Sequence, residues 1–163
     1  MSLFLITGTA GVGKSAVCEQ LKTNGYQAFD TDTDGLAKWQ NIETSVIHPK
    51  SSVKEADRTP EFLNIHRWNV PRAEVEELRN NAVGNVIYLC GNMSNESELY
   101  DLFDDVVALY VDDETLKHRL ATRTTGGWGK RPHELEHTLA RHRTHYDAYR
   151  ASGTTIIDAT QPL

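Results

Sequence analysis

The run Gly8-Thr9-Ala10-Gly11-Val12-Gly13-Lys14-Ser15 matches the pattern G-x-x-x-x-G-K-[ST] and constrains the fold more than any other stretch of the chain. It follows the apolar run Leu3-Thr7 and opens a segment of helical spacing, Lys14-Thr23, so its glycines occupy a strand-to-helix turn. Gly8, Gly11 and Gly13 let the backbone turn tightly and aim successive N–H groups at a polyphosphate, and the helix start adds its positive dipole end. Lys14 is placed to reach β- and γ-phosphates and the Ser15 hydroxyl to ligand Mg²⁺, with Val12 and Ala16 completing the contact with ATP. The competing reading is a chance match in a glycine-rich turn, and the strand before it and the helix after it count against that. A phosphate cradle is shared by motors, GTPases, regulators and kinases, so the reaction must be read from other residues. The base-reading Asn-Lys-x-Asp sequence of GTPases is absent from the chain.

The 163 residues suit a single domain over 1–163, with 39% apolar and 25% charged residues, as in soluble globular proteins. A net charge of -6 argues against a general nucleic-acid surface. No apolar run approaches the roughly 20 residues of a membrane span, and a cytoplasmic location is expected. Two cysteines, Cys18 and Cys90, make neither a disulfide framework nor a zinc set and read as buried small hydrophobes.

Apolar runs at Leu3-Thr7, Gln27-Asp30, Asn85-Cys90, Val106-Val111 and Thr154-Asp158 predict five strands. Val86-Ile87-Tyr88-Leu89 and Val106 to Val111 lack alternation, as in parallel strands buried on both faces. Helices are predicted over Lys14-Thr23, Pro71-Ala82, Glu96-Phe103, Asp113-Arg123 and His133-Ala151, which gives an α/β chain. In the last of these, Leu135, Leu139, His142, Tyr146 and Tyr149 form an inward stripe. Residues 41–60 are polar and read as a mobile excursion or short helices over the sheet edge.

Asp30-Thr31-Asp32-Thr33-Asp34 follows the second strand. If the extended conformation persists, Asp30 and Asp32 share one side, where one carboxylate serves the metal and the other orients an acceptor hydroxyl and accepts its proton. Asp34 reads better as a cap on a following helix. This segment, together with Gly8 to Ser15, resembles the shikimate kinase and adenylate kinase group of small P-loop kinases. The resemblance implies a three-layer α/β fold with a five-stranded parallel sheet of order 2-3-1-4-5. It also implies that Asp30 joins Ser15 at the magnesium site and that Asp32 meets the acceptor. Cys90-Gly91-Asn92 falls where shikimate kinases carry three glycines lining the acceptor pocket, of which Gly91 is retained, so Gly91 and Asn92 become acceptor-side candidates.

Arg119 and Arg123 share a helix face and precede Thr124-Thr125-Gly126-Gly127-Trp128-Gly129-Lys130-Arg131-Pro132. Hinges and cations together suit a lid, about 124–132, that closes over developing phosphoryl charge. The bland alternative is a solvated basic turn. By the resemblance, Arg119-Leu120 supplies an adenine-side arginine and Arg131-Pro132 the catalytic lid cation, with Arg123 and Lys130 competing for that role. The final stretch, Asp158 to Pro162, resembles the loop that packs on adenine.

Five histidines lie at His118, His133, His137, His142 and His145, and their faces diverge too far for a metal set, so they read as surface side chains with His142 partly inward. Trp39, Trp68 and Trp128 read as loop anchors; Trp39 and Trp68 also flank the acceptor-side excursion, about 33–70, where they could stack on a base or sugar. Arg67 and Arg72 precede or open the third helix, where related kinases hold an anionic acceptor group. The expected reaction is γ-phosphoryl transfer from ATP with magnesium to a small hydroxylated acceptor, by a monomer or homodimer. The rivals are a nucleoside or nucleoside monophosphate kinase, which needs converging arginines more than the Asp32 base, and a nucleotide-binding regulatory module without acceptor turnover.

Overall fold

The non-alternating apolar runs can lose water on both faces only inside a sheet covered on both sides, and that is where the computed structural model, describing residues 2–82, 85–124 and 127–161, puts them. In chain order the elements are β1 (Ser2–Thr7), α1 (Lys14–Thr23), β2 (Gln27–Asp30), β3 (Lys38–Asn41), β4 (Ile47–His48), α2 (Pro60–Ile65), β5 (His66–Asn69), α3 (Arg72–Asn81), β6 (Val86–Cys90), β7 (Asp105–Tyr110), α4 (Asp113–Thr122), α5 (Pro132–Ser152) and β8 (Thr155–Asp158). Single 3-10 turns occupy Lys50–Ser52 and Glu55–Asp57, and a longer 3-10 segment, Glu96–Leu102, stands where an α-helix was predicted.

The main sheet runs β2-β6-β1-β7-β8 with every pair parallel. Counting only these five strands in chain order, that is 2-3-1-4-5. Leu3 and Leu5 face one side, packed with Ile87, Leu89, Val75 of α3, Leu99 and Leu102. Ile6, Cys90 and Leu109 face the other, against Val12, Cys18, Leu116 and Leu120 from the cradle, α1 and α4. Each fully buried leucine contributes about 2 kcal/mol of transfer free energy, so the two clusters fix the position of β1 between β6 and β7. Gly8 then emerges at the carboxyl end of the central strand, the position at which open α/β sheets bind ligands.

Residues 41–60 differ from the expectation of a mobile excursion. Short helical turns are present, but the flanking chain forms a second, antiparallel sheet of order β4-β3-β5. Its strands have only two to four residues, too short for a periodic signal. Trp39 pairs with Trp68 across β3 and β5, and the Asn41 side chain accepts from the N–H groups of Glu43 and Thr44 to turn the β3-β4 hairpin. A cross-strand tryptophan pair and a side-chain turn supply what the sequence lacks in regular alternation.

Candidate functional site

At the cradle, Gly8 has φ 134° and an added Cβ would lie 2.5 Å from the Leu109 carbonyl oxygen, so only glycine permits the turn this close to β7. Gly13 is also left-handed and leads into α1, whose first N–H groups have no partner within the helix. Val12 is buried against α4, whereas Ser15 and Ala16 stand exposed on the first turn. Lys14 Nζ donates to the Thr9 carbonyl at 2.8 Å. Its desolvation lowers its pKa to about 8 against the opposing fields of Asp32, Asp30 and Glu96.

Asp30 ends β2 buried at 5% exposure. Its Oδ2 accepts from the Ser15 hydroxyl at 2.8 Å, and its Oδ1 accepts from the N–H groups of Asp32 (2.9 Å) and Thr33 (3.1 Å). Ser15 and Asp30 thus form a pair of hard oxygen donors beside the cradle, which fits Mg²⁺, a cation that takes few protein ligands and keeps several waters. The extended conformation does not persist to Asp32, because residues 31–35 form a turn. Asp30 and Asp32 therefore face different neighbours. Asp32 is exposed, and Trp68 Nε1 donates to its Oδ1 at 2.9 Å. Asp34 caps no helix, since β3 follows; its Oδ2 accepts from the Asp30 N–H at 2.7 Å, closing the turn from the other side.

Arg119 places Nη1 on the Val12 carbonyl (3.0 Å) and Nη2 on the Ala159 carbonyl (2.8 Å), tying the cradle to the loop after β8. Pro162, expected in that loop's nucleotide contact, lies outside the described residues, as do Thr125 and Gly126 of the glycine-rich segment. Arg123 donates to the Trp128 carbonyl, and burial lowers its pKa while the Glu134 and Asp32 carboxylates oppose that. Arg131 instead donates to the Glu55 carbonyl at 2.6 Å. Of the lid cations, Arg123 is the one whose charge the Asp32 carboxylate supports against burial.

Arg67 Nη1 donates to the carbonyls of Leu63 (2.8 Å), Asn64 (3.3 Å) and His66 (2.9 Å), so it caps the end of α2. Gly91 lies directly against the Thr31 side chain, where a Cβ would collide, and Asn92 follows half-buried. The three tryptophans assemble: Trp39 lies 5.1 Å from Trp68 and 6.2 Å from Trp128, ring centre to ring centre, joining the small sheet to the glycine-rich segment. Arg58 stacks over Trp128 at 5.4 Å and points Nε at Oε1 of the fully buried Glu134, 3.8 Å away.

Several buried polar groups have no counterpart in the sequence reading. Glu96, 6% exposed, accepts from Thr7 of β1, from the Tyr100 hydroxyl (2.8 Å) and from Tyr149 of α5 (3.3 Å). Burial raises its pKa, opposed by these bonds and by Lys14. Arg141 donates to Ser94 (3.1 Å) and to His145 Nε2 (3.4 Å). Burial, then the charge of Arg141, pushes His145 down to about 4. His142 lies inward, as its place in the α5 stripe predicted, and is fully buried where only partial burial was expected: it is 2% exposed, bonded to Thr9 and to the Val111 carbonyl. For Glu96 and Arg141 the sequence held no such signal, since a lone glutamate or arginine beside no motif offers none. Among the described residues, no three His, Cys, Asp or Glu side chains converge on a metal position.

A family model described as an AAA domain matches residues 5–138. No curated protein matches the sequence. Among solved structures, the chain is similar to a gluconokinase from Sinorhizobium meliloti, with 19% identity, a TM-score of 0.56 and coverage of 99% of this chain and 84% of that one. It is similar to a shikimate kinase from Bacteroides thetaiotaomicron, with 16% identity, a TM-score of 0.54 and coverage of 97% and 86%. A shikimate kinase from Acinetobacter baumannii, solved in complex with shikimate, shares 14% identity at a TM-score of 0.56, with coverage of 99% and 86%. At these identities the likeness establishes a kinase-like P-loop fold. Among the described residues, no helix is long and apolar enough to cross a membrane.

Proposed function

This chain belongs to the AAA-domain family whose model spans most of its length, and from that premise we propose that it is a kinase moving the γ-phosphoryl group of ATP to a small hydroxylated acceptor. The observation that carries the reading is the join of the two halves: the Ser15 hydroxyl at the cradle donates to Asp30 at 2.8 Å, and the same carboxylate accepts from the Asp32 N–H at 2.9 Å. Phosphoryl transfer requires the phosphate-binding cation and the hydroxyl-orienting carboxylate to face one volume.

In this reading the cradle N–H groups and Lys14 bind the β- and γ-phosphates. Ser15 and Asp30 hold Mg²⁺, which when bound neutralises charge on the transferred group. Asp32 orients the acceptor hydroxyl and accepts its proton as the P–O bond forms, and Trp68 fixes the rotamer of Asp32. Arg123 balances negative charge developing on the phosphoryl oxygens, with Arg131 released from Glu55 as the second cation of a lid over about 124–132. Arg119 anchors the adenine side. The single domain carries its acceptor wall on residues 33–70, with Gly91 and Asn92 at its floor. The charge of Arg67 adds to burial in disfavouring the cation of Arg141, a concentration of positive charge that favours an acceptor bearing a carboxylate or phosphate as well as its hydroxyl.

The test is magnesium-dependent ADP release across hydroxy acids, sugar acids, sugars, nucleosides and nucleoside monophosphates, with Lys14→Ala as the blank. Release above that blank with a hydroxylated acid is the expected result. Stimulation by nucleoside monophosphates alone would move the acceptor to that class, and tight ATP binding with no stimulation by any of them would favour the regulatory module.

A further inference from the structure

The third turn of α5 reaches the back of the cradle through one side chain. The His142 ring is sandwiched in the layer between β7 and α5, parallel to Tyr110 at 4.8 Å, and both of its nitrogens are bonded. Nε2 stands 2.7 Å from the Val111 carbonyl, which can only accept, so Nε2 carries the proton. Nδ1 is then the acceptor, and the Thr9 hydroxyl, 2.6 Å away, donates to it. Thr9 is 3% exposed, and its own carbonyl receives Lys14 Nζ. One residue of the loop is therefore held on its side-chain side by His142 and on its main-chain side by the phosphate-binding lysine.

We propose that His142 is a positioning residue for the phosphate cradle, setting the Thr9 conformation from which Lys14 and the loop N–H groups are aimed at the nucleotide. This rests on the reading of Gly8 to Ser15 as a nucleotide site. The same helix holds the glycine-rich segment at its other end, through Glu134 to the Gly129 N–H (3.0 Å) and Thr138 to Trp128 Nε1 (2.9 Å).

The experiment is calorimetric binding of ATP with magnesium to the full chain, alongside thermal unfolding of each variant. Thr9→Val, which keeps shape and removes the donor, weakens binding about tenfold, the cost of leaving one buried partner unsatisfied. His142→Gln, which reaches the Val111 carbonyl but not Thr9, weakens it similarly, and the double variant is no worse than either alone. His142→Asn, whose carbonyl oxygen can stand near the Nδ1 position, restores most of the affinity despite losing the Val111 bond. A purely structural histidine gives the opposite pattern: lower unfolding temperatures with unchanged affinity in every folded variant, which overturns the proposal. Should the His142 variants fail to fold, unchanged affinity in Thr9→Val alone overturns it. Absence of nucleotide binding by the unaltered chain would instead overturn the nucleotide reading on which it stands.

Discussion

The cradle at Gly8 to Ser15 and the proposed acceptor wall, built from residues 33–70, 123–124 and 127–134, are held in place by different physics. The cradle is backbone: left-handed glycines at Gly8, Gly11 and Gly13, a helix start and a strand end, all within one short stretch of chain. The wall is side chains from distant segments, with Trp39, Trp68 and Trp128 in contact and Arg58 reaching Glu134 across 76 positions of sequence. Local backbone geometry survives changes elsewhere, whereas a wall of mutual contacts weakens as a unit. Substitutions in the cradle should therefore remove function and spare the fold, and substitutions in the wall should cost stability first.

Lys14→Ala is the sharpest test of the first half and the largest effect expected. It should lower acceptor-dependent ADP formation on the order of 10³-fold while leaving the circular dichroism spectrum and the urea midpoint near those of the unaltered chain. A comparable loss of stability would erase the distinction. Asp32→Asn comes next, with turnover down about 10²-fold because the carboxylate accepts the acceptor proton, and with a smaller loss of nucleotide affinity because Asp32 also supports the charge of Lys14. Trp68→Phe removes the bond that orients Asp32, trims the ring packed on Trp39, and should cost far less turnover than Asp32→Asn.

The same contrast explains what the sequence disclosed. The five parallel strands and the cradle were legible because each rests on a local signal: an apolar run, a capping residue such as Asp112 toward Thr115, or a glycine pattern; the strand order came with the resemblance to small P-loop kinases and not from any local signal. The small sheet was not, since its strands of two to four residues carry polar side chains on both faces and are held by the Trp39–Trp68 pair. Asp30 and Asp32 were singled out by their chemistry, but their separation onto different neighbours depends on the turn at 31–35, which alternation does not foresee. Glu96, Arg58 and Glu134 were missed because a buried charge is defined by its partner, and the partner lies far along the chain.

The wall yields the next test. Arg58→Met removes the cation 3.8 Å from the fully buried Glu134, with Arg123 left as the remaining positive charge in its field, and should destabilise the protein by about 3 kcal/mol in urea unfolding. Arg58→Met with Glu134→Met should recover most of that loss, since a packed apolar pair replaces a buried ionic one at little net cost. An effect on nucleotide affinity without loss of stability would show instead that the wall behaves like the cradle.

His145 gives a smaller, pH-dependent effect. Its pKa is held at about 4 by burial and then by Arg141, below the ordinary value near 6.5 in the unfolded chain. The unfolded state thus takes up the proton first as pH falls, so the stability associated with neutral His145 is complete above about 6.5 and lost between there and about 4. After allowance for solvent screening the loss is on the order of 1–2 kcal/mol. Urea unfolding of His145→Gln at several pH values should show a flatter profile than the unaltered chain over that window, and parallel profiles would reject the assignment.

Arg72 should give the smallest effect, and its value is as a boundary to both regions. The sequence placed it where related kinases hold an anionic acceptor group. In the structure Nε donates to Glu76 at 2.9 Å, Nη1 to Asp101 at 3.1 Å and to the Glu98 carbonyl at 3.0 Å, so its donors already face protein acceptors. The pairs are exposed, where solvent and salt reduce such attractions to little net stability. An acceptor anion would have to displace two carboxylates from the guanidinium to use it. Arg72→Ala should therefore leave the acceptor KM within about twofold and the urea midpoint nearly unmoved, more so at high salt. A rise in KM well beyond that, with the midpoint unchanged, would extend the acceptor wall to the start of α3.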